Sequence, residues 1–197
     1  MRRTRFVTNL LGLTTLPFWA CRGENNRETQ LSKGSNGIDV VNENTGIKIK
    51  EELHEAWVKS EEMTLKNVEQ MPSNFFAFKY TEEAMSFAEQ WRHCIIYTCG
   101  QLSGRAGIHN PYENIKLPIQ MSKESVIGEL KKMYSHVKSS IQDMSTEKLL
   151  SECEFAGGEI PVWRLFYAME NHIIHHRGQC VVYLRLNGVI PKGYYGW

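Results

Sequence analysis

The sequence predicts an all-α protein: an up-down four-helix bundle with a three-histidine metal site at its centre. Three observations carry this. Apolar residues recur at helical spacing over four long segments, and none alternates as a strand would. Breakers fall between those segments, at Met71-Pro72, Pro111, Pro118, Gly157-Gly158 and Gly188. The last segment holds Asn171-His172-Ile173-Ile174-His175-His176-Arg177-Gly178-Gln179, with His172 and His176 four residues apart on an otherwise apolar face.

The length of 197 residues fits one domain with a sizeable core, and 42% hydrophobic with 23% charged residues is ordinary for a globular chain. The formal net charge is +1, with no basic run longer than Arg2-Arg3 or Lys131-Lys132. That excludes a nucleic-acid partner recognised by bulk charge. No repeat and no glycine-rich phosphate loop is present.

Residues 1–21 read as an export signal. Arg2, Arg3 and Arg5 form a basic start, and Phe6 to Trp19 is an apolar run too short to span a bilayer. Ala20-Cys21 then resembles a bacterial lipoprotein signal, with Cys21 the lipidated residue, although Phe18 and Trp19 are bulky for that box. A plain secretory signal cleaved near Ala20 is the other reading, and Arg2-Arg3 hints at twin-arginine export with an unusual spacing. Losing residues 1–20 removes three arginines and no acid, which leaves a net charge of −2. The expected location is the periplasm or cell envelope, with membrane contact only through a lipid anchor. Cys94, Cys99, Cys153 and Cys180 have neither disulfide-framework nor zinc CxxC spacing and read as buried free thiols.

Residues 22–46 are polar and read as a flexible linker to a domain at 47–197. The first helix is expected from about Lys48 to Gln70, with Leu53, Trp57, Glu61, Thr64 and Val68 inward, and Met71-Pro72 ends it. An aromatic connection follows, with Phe75, Phe76, Phe78 and Tyr80. Ser86-Phe87-Ala88-Glu89 is a capping box opening a second helix that runs to about Ala106. His93 lies on it, on one face with Ser86, Glu89, Tyr97 and Gly100. After a longer loop, Val126, Leu130, Met133, Val137 and Ile141 mark a third helix over Lys123 to Met144. A short helical piece is expected at Thr146–Leu150. Pro161 opens the fourth long helix, Gly188 and Pro191 end it, and the aromatic tail Gly193 to Trp197 is expected to pack back on the bundle.

On the fourth helix, Leu165, Ala168, Met169, Gln179 and Tyr183 share the face of His172 and His176. A pair at i, i+4 is a bidentate seat for a transition metal. A core histidine that is simply hydrogen-bonded accounts for the spacing equally well. Facing helices of a bundle supply the geometry for His93 to join the pair.

Ser86-Phe87 leading to His93, then His172-x-x-x-His176-Arg177-Gly178-Gln179, then Tyr183-Leu184-Arg185-Leu186-Asn187-Gly188 and Pro191, resembles the DinB-like family of metal-binding four-helix bundles. The resemblance covers residues 48–197, with Lys192 where the family has a second proline. It implies a divalent metal ion held by His93, His172 and His176, zinc foremost and nickel or iron also acceptable. From their places on the helix, His175 beside the ligand line and Gln179 and Tyr183 on the ligand face are the candidates for supporting the ligands. Glu61, Glu89 and Tyr97 are the candidate acids or bases, and Arg177 is expected to turn away and pair with an acid. Characterised relatives include thiol-dependent transferases and an isomerase. The expected function is therefore a metal-dependent hydrolase or thiol-type transferase on a small-molecule substrate, with three imidazoles leaving positions open for a water or thiol nucleophile. A non-catalytic metal- or ligand-binding exported lipoprotein is the alternative. Low-molecular-weight thiols are scarce outside the cytoplasm, which favours water in an exported member. A homodimer is compatible with the sequence, which does not fix the metal, the substrate or the oligomeric state.

Overall fold

The computed structural model describes the backbone of residues 35–193 and the side chains of residues 43–193. The export signal with Cys21, the linker up to residue 34 and tail residues 194–197 lie outside the described residues. In order, the elements are α1 (Ser35–Gln70), α2 (Phe87–Ala106), α3 (Lys123–Asp143), α4 (Thr146–Leu150), β1 (Glu152–Phe155), β2 (Gly158–Pro161) and α5 (Val162–Leu186). The predicted four-helix bundle is present, built by α1, α2, α3 and α5.

Long helices need their ends satisfied, and the sequence supplies the caps. Ser86 and Glu89 form the full capping box of α2, and Gly107 closes that helix at φ 72°. Ser122 caps α3 and Ser145 caps α4, each by accepting a backbone N–H three residues on. Met71, Leu53, Trp57, Trp91, Tyr134, Phe87, Phe166 and Tyr183 are fully buried and fill the space between the helices.

Each of α1 and α2 packs against both α3 and α5. Lys50 Nζ donates to the Gln142 carbonyl (2.8 Å) and Lys123 Nζ to the Met71 carbonyl (2.9 Å), so α1 and α3 run antiparallel. Arg177 reaches Ser60, and Gln70 bonds Lys192, so α1 and α5 run parallel. Gln90 meets Gln179 while His93 meets His172, so α2 opposes α5. The helices therefore run up-down-down-up, and the bundle does not alternate strictly as the expected up-down order would. The loop after α2 makes this possible by returning along α2: Arg92 Nε donates to the Leu117 carbonyl at 3.0 Å.

Two elements depart from expectation. The stretch 35–46, expected as linker, belongs to α1. Gly46 there is buried, and an added Cβ would stand 2.8 Å from Thr146 Cβ. Its missing side chain lets α4 close on α1. Second, the segment around Gly157-Gly158 is a β-hairpin, with Phe155 paired to Gly158 and Glu152 to Pro161. The two-residue loop places Ala156 (φ 52°) and Gly157 (φ 82°) at positive φ, as a type I′ turn requires. Alanine hides that turn from a sequence reading that looks for Asn-Gly. Among the described residues no helix is long and apolar enough to cross a membrane.

Candidate metal centre

His172 and His176 sit one turn apart on α5, and α2 presents His93 against them. The Nε2 atoms of His93 and His172 are 3.1 Å apart, as are those of His172 and His176. All three candidate ligand atoms lie within 4.8 Å of one another. Two ligands on one zinc ion at Zn–N distances of ~2.0–2.1 Å stand ~2.9–3.4 Å apart, depending on the angle between them. The two contacts fall in that range.

The hydrogen bonds around the cluster decide which lone pairs face inward. His176 Nδ1–H donates to Gln90 Oε1, which commits that ring's one proton and leaves its Nε2 as a bare lone pair. Gln90 Nε2 in turn donates to Gln179 Oε1 (3.0 Å), and Gln179 Nε2 donates to His175 Nε2 (2.7 Å). The His172 Nδ1 is buried with no hydrogen-bond partner, so its ring is held by packing. Tyr97 stacks on it with centroids 4.4 Å apart.

Proton counting then favours a cation. An N–H on His172 Nε2 can serve well only one of its two 3.1 Å neighbours. Adding protons is disfavoured: burial first, then the neighbouring imidazoles, push the pKa values of His172 and His176 down to about 4. His93 is also lowered, by burial and then by the Arg92 charge. Three neutral imidazoles converging on one point can hold a metal ion, and the residues fit one.

His175 is exposed beside the cluster, its ring 5.1 Å from that of His176. Gln179 links it to Gln90, and the Tyr183 hydroxyl donates to the Met85 carbonyl. Two of the three acid–base candidates stand elsewhere. Glu61 binds Lys138 at 2.5 Å between α1 and α3. Glu89 accepts from the Ser86 backbone (2.7 Å) and pairs with Lys79 (3.1 Å), and those bonds hold its carboxyl below the usual range. Only Tyr97 adjoins the histidines. Arg177 is buried and turned away from the cluster: it donates to the Thr64 hydroxyl (3.3 Å) and the Ser60 carbonyl (3.4 Å), and its charge acts on the buried carboxyl of Glu170. Tyr134 completes that group through Thr64 (2.9 Å) and Ser60 (3.1 Å). Glu170 is buried nearby with its pKa raised by burial. The four cysteines at 94, 99, 153 and 180 are buried and unpaired, and burial raises the Cys99 thiol to about 12.

Gln90 is the residue that sequence reasoning missed. Its signal was present, since it lies three residues before His93 and thus on the same face.

A solved DinB-like protein from Bacillus cereus superposes with a TM-score of 0.63 at 20% identity, covering 74% of this chain and 97% of that one. A DinB-like protein from Bacillus subtilis gives 0.59 at 19%, covering 73% and 96%. No curated protein matches the sequence. The DinB superfamily model matches residues 56–180, which contain His93, His172 and His176, and the chain belongs to the DinB superfamily.

Proposed function

We propose that this protein is a metal-dependent enzyme, a hydrolase or thiol-type transferase acting on a small molecule. The convergence of three Nε2 atoms from two helices carries the reading. His93, His172 and His176 would hold one divalent ion, zinc foremost. The ion supplies Lewis acidity and lets a nucleophile form at neutral pH. The chain's own residues set up that site. Gln90 fixes the His176 tautomer, Gln179 and His175 hold Gln90 in turn, and Tyr97 keeps the His172 ring in place. Processing and lipidation at Cys21 would put the domain in the cell envelope, with water the available nucleophile. Labelling with a radioactive fatty acid, lost in Cys21→Ser, tests that part.

One observation favours a non-catalytic metal-binding role: Glu61 and Glu89, the acidic candidates, are both committed elsewhere. Two measurements separate the readings. Bound metal per chain is expected in wild type and His175→Ala, and to be lost in His93→Ala and His176→Ala. Equal occupancy in all four removes the metal assignment. Metal-dependent turnover on a panel of esters and thiol-electrophile pairs is expected; occupancy without turnover leaves the binding role.

A further inference from the structure

Beside the three histidines lies a second feature that the metal reading does not use. A cavity of about 330 Å³ opens between the hairpin and the first half of α5. That volume is within the range of small-molecule sites. Phe155, Ala156 and Ile160 line it from the hairpin, and Arg164, Ala168 and Asn171 from α5.

Its charge is one-sided. Arg164 is the one charged residue in the lining, it is exposed, and it has no ion pair or hydrogen bond among the described residues. The hairpin register explains why no acid is present. Cys153 and Phe155 share one face with Ile160, while Glu152, Glu154 and Glu159 take the other, exposed face. The first turn of α5 holds no acid, so the positive end of the helix dipole lies at the same end, although the Val162 N–H there is taken by the Ser151 carbonyl (2.8 Å). The hairpin is also braced from α2, where Arg105 donates to the Glu154 carbonyl (2.6 Å) and stands over the Phe155 ring.

Its position is as pointed as its charge. Ala168 precedes His172 by one turn and Arg164 by two, or ~6 and ~12 Å along the helix axis. On α2 the face of His93 and Tyr97 continues through Gly100 and Gly104, where an added Cβ would meet nothing within 4 Å. No side chain at these two positions stands between the histidines and the hairpin.

We propose that this cavity binds an organic anion with an apolar body. Its carboxylate sits on the Arg164 guanidinium, and its body lies against Phe155 and Ile160. That its other end reaches the three histidines rests on the metal-enzyme reading; the anion site does not.

The test uses the full-length protein and two probes of one shape, phenylbutyrate and the neutral phenylbutanamide, titrated by calorimetry. Wild type is expected to prefer the acid by about fivefold, the strength of a charge-assisted bond weakened by exposure. Arg164→Gln is expected to bind both probes alike while keeping the wild-type helical spectrum and metal content. His176→Ala is expected to retain the preference. Equal affinity for acid and amide in wild type, no binding of the acid at millimolar concentration, or a preference that survives Arg164→Gln each overturns the proposal. A metal-free wild type that still prefers the acid would sink the proposed function and leave the anion site standing.

Discussion

Gln90 on α2 accepts the Nδ1 proton of His176 on α5, and through that one bond a residue 86 positions away selects which imidazole nitrogen faces the other two histidines. A glutamine can accept that proton; a leucine of similar size cannot. Gln90→Leu is therefore expected to weaken metal binding by about 10–100-fold, the usual effect of losing a ligand's orienting partner. Gln90→Glu keeps an acceptor and is expected to stay within about tenfold of wild type. Competition with a chromophoric chelator measures both; equal losses would show that Gln90 acts by packing alone.

The depressed imidazoles set a pH window. In the unfolded chain a histidine titrates near ~6.5, whereas His172 and His176 in the fold titrate near about 4. Between those values the unfolded chain holds more protons, so the metal-free protein loses stability as pH falls from ~6.5 toward ~4. His172 is partly open to solvent while His176 is buried, and the combined loss is expected at about 2 kcal/mol once screening at the open side is allowed for. Urea denaturation at stepped pH values checks it, with His172→Ala/His176→Ala flattening the slope. For the same reason metal should be retained to lower pH than a model imidazole's pKa of ~6.5 suggests.

Two helical glycines should respond in opposite directions. Around Gly128 on α3 an added Cβ meets nothing within 4 Å, so Gly128→Ala is expected to stabilise by about 0.5–1 kcal/mol. At Gly46 the same change puts Cβ 2.8 Å from Thr146 Cβ, and overpacking is expected to cost about 1–3 kcal/mol. Thermal denaturation of the two variants reads the difference, and a stabilised Gly46→Ala would show that α4 does not close on α1 there.

Ala156 holds φ 52°, a left-handed conformation that a Cβ resists. Ala156→Gly or Ala156→Asn, both suited to the first loop position of a type I′ turn, is expected to gain about 0.5–1 kcal/mol. Denaturant midpoints check this; no gain in either would mean the hairpin is not limiting for stability.

Much of this was legible in the sequence, because the signals were local. The i, i+4 pair, the Ser86–Glu89 box and the stripe from Val126 to Ile141 each lie on one helix, where spacing alone fixes the neighbours. What stayed hidden depended on a second element. The role of Gln90 requires His176, the burial of Gly46 requires Thr146, and Arg177 settles on Ser60 and Thr64 of a helix more than a hundred residues earlier. Glu61 looked free for chemistry only because its partner Lys138 is not its neighbour in the chain, whereas the commitment of Glu89 to the Ser86 cap was itself a local signal.

His93 comes from α2 and its two companions from α5, with His93 and His172 79 positions apart. An ion gripping all three would thus act as a clasp across one seam of the bundle, while the α1–α3 side stays closed by its own apolar packing. Such a clasp binds the folded chain and has no counterpart in the unfolded one, so free metal at a hundred times its dissociation constant would add about 2.7 kcal/mol to folding. The melting midpoint then becomes a gauge of which ion the seam prefers, read by adding one metal after another to a protein whose substrate need not be known.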